Sequence, residues 1–294
     1  MIKKIVSLFV IVLMAISVAV VPVNALSREY RGFYLEFDLS ENTATIVDYT
    51  GSEEDIAIPG SVYGYTVTAI DEFAFFNNSI IKSVLFSNTV TDIGYKAFSQ
   101  CSALERVILP TSLTNMEDSA FYKCSSLTAV YFNSAVKEIP DNAFNGCSSL
   151  ETVRLTKGME KIGSGAFYGC SALSSLSLPK SISSIGDNAF GQCSDSLVVS
   201  GYTDVAESYC NENGINFVRV LPLYGDANED GSVNIMDATY IQKTVVQMKG
   251  FEIEKGTDSF MCADVDGDGN ITIMDATIIQ KYINHLIETL PCIG

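Results

Sequence analysis

The sequence predicts a solenoid of short parallel β-strands with brief helical turns, followed by a small all-α module of paired loop–helix motifs. Three observations carry this. Cys101, Cys124, Cys147, Cys170 and Cys193 recur every 23 residues, and Phe98, Phe121, Phe144, Phe167 and Phe190 keep the same step. A period in this range marks units that cannot bury their apolar face alone and stack to do so. Finally, DVDGDGNITIMDA from Asp264 sets a carboxylate at every second residue before a glycine, and DANEDGSVNIMDA repeats the design from Asp226.

The chain opens with Lys3 and Lys4, an apolar run from Ile5 to Val21, and the small-residue site Val23-Asn24-Ala25. Residues 1–25 therefore read as a secretory signal peptide. The run is long for a signal, and an uncleaved membrane anchor is the alternative. No later segment is apolar and long enough to span a bilayer, so the expectation is a secreted chain with no membrane insertion after cleavage. The net charge is -17, and losing both lysines with the leader leaves -19. Such a surface repels nucleic acid and anionic membranes.

Residues 26–66 alternate apolar and polar positions between turn signals, as in FYLEFDLSENTATIVDYTG, and read as a β-rich cap. Residues 67–199 hold the repeats. In one unit Leu104, Val107 and Leu109 point inward from a short strand, and Glu105, Arg106 and Ile108 lie on the open face. A second short apolar piece follows, such as Val136 and Ile139. A helical turn then buries Ala143 and Phe144, with Asp141 placed to cap it. An earlier unit keeps Phe75 in register but has Asn78 in the cysteine column. The pattern L-x-x-V-x-L with A-F and Cys in the return leg resembles the leucine-rich repeats of the BspA type, found on bacterial surface proteins. Residues 200–220 read as a C-terminal cap, one amphipathic helix stopped by Gly214 and then a strand.

Successive strands present Leu85, Ile108, Tyr131, Arg154 and Ser177 in one open-face column. The first three make an apolar stripe beside a cation, a composition suited to recognising a protein or glycan. The competing reading is a ladder that only stabilises neighbouring strands. The five cysteines in one column read as buried free thiols, and Cys210 as cap core. A bridge between Cys262 and Cys292 is the alternative for that pair.

Residues 221–294 contain both acidic loops. Asp264, Asp266 and Asp268 occupy the first, third and fifth places of a calcium loop, Gly269 the sixth, Thr272 the ninth and Asp275 the twelfth, with Asn270 offering its carbonyl at the seventh. Asp226, Asn228, Asp230, Gly231, Asn234 and Asp237 match place for place. Pro222, Gly225 and β-branched residues oppose a helix entering the first loop, whereas DATYIQKTVVQM and DATIIQKYINHL suit exit helices. The stretch KGFEIEKGTDSF reads as a linker. Two such loop-plus-helix (F-hand) units resemble the type I dockerin module. That resemblance implies two calcium ions, with the Ser232 carbonyl completing the first ligand set, and docking onto a cohesin module of a scaffoldin within a cellulosome-like complex. The implied cohesin contacts are Ile235, Met236, Gln242 and Lys243, recurring as Ile273, Met274, Gln280 and Lys281. The Ile-Met pairs stand where a hydroxyl pair is common in that family, which leaves the cohesin class open.

Many dockerin-bearing chains are enzymes, which makes catalysis the competing expectation. His285 is the single histidine, on an exit helix, which excludes a histidine triad elsewhere. Tryptophan is absent. Caps and repeats account for nearly everything before the dockerin-like region, so the expectation is a non-catalytic binding protein. The alternatives are a carbohydrate or host-surface adhesin, a cryptic glycoside hydrolase, and a structural spacer.

Overall fold

The computed structural model describes residues 25–220, 223–228, 232–255 and 257–290. Residues 1–24 of the expected leader, the ligand Asp230 with its glycine Gly231, Pro222 and Cys292 lie outside the described residues, and Ala25, the leader's last residue, is described as the start of a strand. The chain divides into two compact units between Arg219 and Val220. No helix among the described residues is long and apolar enough to cross a membrane.

The first unit opens with an antiparallel meander of Ala25–Tyr30, Phe33–Asp38 and Thr43–Tyr49. Alternation in the middle strand buries Phe33, Leu35 and Phe37 and exposes Tyr34, Glu36 and Asp38. Thr43–Tyr49 then pairs in parallel with Tyr65–Ile70, which hands the meander on to the first coil. From there each coil adds one three-residue strand and one two-residue strand. Asp55–Ala57, Ser83–Leu85, Arg106–Ile108, Ala129–Tyr131 and Thr152–Arg154 form a five-stranded parallel sheet. Their middle residues, including Val84, Val107, Val130 and Val153, are buried as the sequence indicates.

The return leg differs from the expected helical turn. Ala143, Asn145 and Cys147 donate their N–H groups three residues back within the turn. The residues between them donate to the next coil instead: Asn142 to Ser164 O (2.9 Å), Phe144 to Ala166 O (2.8 Å) and Gly146 to Tyr168 O (2.7 Å). Alternating donors cannot build a helix, because half the ladder is spent between coils. The alternation requires two left-handed residues per coil. They are Phe73 and Asn77, Lys96 and Gln100, Ser119 and Lys123, Asn142 and Gly146, Gly165 and Gly169, and Asn188 and Gln192, all with φ between +52° and +77°. Asp141 caps no helix of its own. Its Oδ1 accepts the N–H of Ser164 in the next coil at 2.6 Å.

Inside the turns, six phenylalanine rings stack in one column. Centroids of Phe75, Phe98, Phe121, Phe144, Phe167 and Phe190 step by 4.6, 5.2, 5.5, 5.6 and 6.0 Å. Tyr49 and Phe33 close the column at one end and Tyr209, edge-on at 5.5 Å, closes it at the other. Beside it runs a thiol column. Cys101, Cys124, Cys147, Cys170 and Cys193 each donate Sγ–H to the carbonyl of the phenylalanine one coil back, at 3.1–3.3 Å. Asn78, in the same column of the first coil, accepts the N–H groups of Ile80 and Ile81 instead.

The C-terminal closure repeats this bonding with a side chain. Each phenylalanine N–H from Phe75 to Phe167 meets the carbonyl of the alanine in the next coil, at 2.8–2.9 Å. Phe190 has no following coil, and its N–H donates to the Tyr209 hydroxyl at 3.2 Å. Tyr209 is carried by helix Asp204–Glu212, capped by the Thr203 hydroxyl and anchored by buried Ala206 and Cys210. Asn216–Arg219 then adds a final parallel strand to Val198–Gly201. Arg219 ties the helix down through Glu207 (2.6 and 3.0 Å), the Tyr202 carbonyl (2.9 Å) and Asp204.

Two outcomes follow from this packing. Tyr209→Phe keeps the ring but orphans the buried Phe190 N–H, so urea denaturation should show a loss of about 1–3 kcal/mol. An unchanged midpoint would mean that water replaces the hydroxyl. Burial also pushes the thiols up, Cys193 and Cys210 to about 11 and Cys124 and Cys170 in the same direction. Unfolded thiols ionise near ~8.5. Stability is therefore complete below that pH and falls between about pH 8.5 and 11, by up to ~1.4 kcal/mol per pH unit for each thiol. Cys193→Ala combined with Cys210→Ala should flatten the fall of the urea midpoint across that window.

Candidate calcium-binding and docking site

Two loops in the second unit gather its carboxylates. In the loop from Asp264 to Asp275, carboxylate oxygens of Asp264, Asp266 and Asp268 lie within 4.8 Å of one another. Asp264 is almost wholly buried, and its Oδ1 has no hydrogen-bond partner among the described residues. A buried carboxylate oxygen left bare beside two more carboxylates is costly unless a cation satisfies it. The surrounding donors are all oxygens, the set that suits calcium.

Backbone bonds hold this arrangement. The N–H of Gly269, at φ +81°, donates to Asp264 Oδ2 at 2.9 Å, and the Asn270 N–H donates to Asp268 Oδ1 at 2.8 Å. Asp275, fully buried, closes the loop on itself. Its Oδ1 accepts from Val265 N (2.8 Å) and Asp266 N (3.3 Å), and its Oδ2 from Thr272 N (2.8 Å). Thr272 and Asp275 also form a capping box that starts helix Ile273–Ile283.

The loop from Asp226 follows the same plan. Asp237 is fully buried and accepts from Asn228 N (3.2 Å) and Asn234 N (2.8 Å). Asn234 caps helix Ile235–Val245 in a second capping box. Asp226 is buried, and the Asn234 amide donates to the Ser232 carbonyl. Buried Ala238, Ile241, Ala276 and Ile279 pack the two helices into a small core with Ala263, Val265 and Leu290.

The module departs from the sequence reading at one element. Overlapping the end of the expected linker, Asp258–Ala263 is a short helix leading into the second loop, with the Thr257 hydroxyl accepting the Phe260 N–H at 3.2 Å. Burial of Cys262 and Ala263 holds it in place. Lys255 was not singled out by the sequence. Its Nζ donates to the Gly269 carbonyl at 2.8 Å, bringing one cation to the rim of the loop.

Both Ile-Met pairs open the exit helices and face solvent, with Ile235 and Met236 54% and 56% exposed and Ile273 and Met274 52% and 53%. Gln242 and Gln280 are half-buried at equivalent places. Lys243 lies 4.3 Å from the Phe251 ring centroid, whereas Lys281 is exposed. His285 follows the second helix at φ +55°. In the first unit, Leu85 pairs in register with Ile108, and Tyr131 with Arg154. All four side chains are exposed, and the Arg154 guanidinium sits 5.7 Å from the Tyr131 ring centre. Ser177 belongs to a different sheet, with Val198–Gly201 and Asn216–Arg219.

A repeat solenoid carried with a module of paired acidic loops defines a class of modular proteins. The family assignment is specific: the chain carries a BspA-type leucine-rich repeat region in six copies over residues 66–197 and a type I dockerin domain over 224–284 and 262–290. Among solved structures, a Treponema pallidum leucine-rich repeat protein is 26% identical, with 66% of this chain and 98% of that one aligned at a TM-score of 0.57. A leucine-rich cell surface protein of Faecalibacterium prausnitzii is 28% identical over 60% of this chain and 54% of its own, at 0.48. No curated protein matches the chain. Type I dockerin domains generally bind calcium, and both kinds of region are typically non-catalytic and extracellular or cell-surface.

The carboxylate geometry sets opposite signs for one substitution. Asp266→Asn keeps the loop bond to the Asp268 N–H, present at 3.2 Å, while removing one like charge. Without calcium its melting midpoint should exceed the wild type, and with calcium it should fall below. Calorimetric scans in chelator and in millimolar calcium check this; a shift of one sign in both buffers contradicts it.

Proposed function

We propose that this is a secreted, non-catalytic binding protein whose dockerin docks calcium-dependently onto a scaffoldin cohesin. It thereby displays its leucine-rich repeats within a cellulosome-like polysaccharide-degrading complex. The observation that carries the reading is the exposure of the same Ile-Met pair at the start of both exit helices, directly after each acidic loop. Two calcium ions are held, one by Asp226, Asn228, Asp230, Asn234, Asp237 and the Ser232 carbonyl. The other is held by Asp264, Asp266, Asp268, Thr272, Asp275 and the Asn270 carbonyl. Bound calcium supplies the positive charge that lets these carboxylates converge, and the loops then present Ile235, Met236, Gln242, Lys243 and their counterparts to the partner.

The repeats contribute the open-face stripe of Leu85, Ile108, Tyr131 and Arg154, whose aromatic, aliphatic and guanidinium composition suits a protein partner. An adhesin role toward carbohydrate or a host surface is the second reading, favoured by the exposed Tyr131 beside Arg154. The absence of tryptophan and the single histidine support a chain without catalytic chemistry.

The full chain should bind at least one member of a panel of recombinant type I cohesins in calcium and lose that binding in chelator. It should release no reducing sugar from cellulose, xylan, pectin or mannan. Calcium-independent binding would sink the docking mechanism, and activity abolished by substituting one carboxylate would sink the non-catalytic reading.

A further inference from the structure

The two halves of the dockerin repeat at an offset of 38 residues, so each exposed position has a counterpart that can be compared with it. Ile235, Met236, Thr239, Gln242 and Lys243 recur unchanged as Ile273, Met274, Thr277, Gln280 and Lys281. Within the helices Tyr240, Thr244 and Val245 give way to Ile278, Tyr282 and Ile283, and at the C-cap Val246 gives way to Asn284. Ile235, Thr239, Gln242 and Val246 are spaced by four, three and four residues, so they share one face of the helix. Val246 thus extends the same surface that the Ile-Met pair begins.

The environments of the two residues differ in a telling way. Asn284 serves its own helix, its side-chain amide donating to the Gln280 carbonyl at 2.7 Å. Val246 has no polar side-chain atom to make such a bond and is not among the residues of the module's core. At 73% it is the most exposed of the large apolar side chains among the described residues. Helix stability therefore gives no reason for a valine there. Nearby, the Lys243 ammonium rests over the Phe251 ring, itself edge-on to Tyr240 at 5.2 Å. Thr289 stands at the position matching Phe251, so Lys281 lacks such a platform. The first half therefore adds exposed Val246 to the shared Ile-Met pair, with its lysine already placed, whereas Met248 has an exposed apolar counterpart in Leu286 and does not distinguish the halves. The second half has an amide at the Val246 position and leaves its exposed lysine to be ordered on binding.

We infer that the two halves are unequal docking faces: the first is the stronger, Val246 is the residue that makes it so, and its partner surface is apolar where Val246 lands. This rests on the docking reading above. Covering an exposed valine, in place of an asparagine that must give up water, separates the two modes by roughly tenfold in affinity.

Isothermal calorimetry of the full chain in calcium, against the recombinant type I cohesin that binds most tightly, tests this with three variants. Ile235→Asp with Met236→Asp disables the first half, and Ile273→Asp with Met274→Asp disables the second. The first lesion should weaken binding about tenfold more than the second. Adding Asn284→Val to the first-half lesion should recover most of that loss, a gain that misfolding cannot mimic. Equal losses from the two lesions, or no recovery from Asn284→Val, overturn the inference while leaving cohesin docking intact. Failure of the unaltered chain to bind any cohesin overturns the docking reading itself.

Discussion

No coil of this solenoid can satisfy its own backbone. In each return leg every second N–H points at the next coil, so a coil is complete only when another follows it. This single constraint organises the first unit. It fixes the 23-residue step, because a donor must find the equivalent acceptor one turn on. It also requires a terminator that imitates a coil, and Tyr209 does so with both its parts: the ring caps the phenylalanine column and the hydroxyl stands in for the missing carbonyl. At the other end an antiparallel meander performs the same service with ordinary strand pairing.

The second unit faces an opposite problem, too much charge rather than unpaired backbone. Its answer is to give each buried twelfth-place aspartate two tasks. Asp237 and Asp275 receive loop N–H groups on both oxygens and at the same time start the exit helices through capping boxes. Loop closure and helix initiation are thereby one event, which explains how a loop of a dozen residues positions Ile235 and Met236, or Ile273 and Met274, so reproducibly at the helix start.

Much of this was legible in the sequence where the cause is local or periodic. The two acidic loops were readable because their carboxylates and the turn glycine lie within a dozen consecutive residues. The coils were readable from the Phe and Cys columns. The left-handed positions of the return leg were hidden because Phe73, Lys96, Gln100, Ser119 and Lys123 occupy them, residues that give no turn signal. Helix Asp258–Ala263 was hidden for a different reason. It is six residues long and depends on burial of Cys262 and Ala263 rather than on propensity. The Lys255 contact to the Gly269 carbonyl joins positions 14 apart and leaves no local trace. The inequality at Val246 and Asn284 was present in the letters, but only solvent exposure gives it meaning.

The clasp around Arg219 has a mechanical side. Arg219 is the last residue of the solenoid unit, so tension applied from the C-terminal side of the chain enters the solenoid there. It meets the final strand and, through one guanidinium, both acidic residues at the start of the cap helix. Load is thus shared between a parallel strand pair and a charged clamp before it reaches the stacked coils. Since every coil is bonded chiefly to its neighbours, failure of that clamp would propagate as sequential peeling from the tethered end. The strength of the whole repeat under tension is set by its last few side chains rather than by its long core.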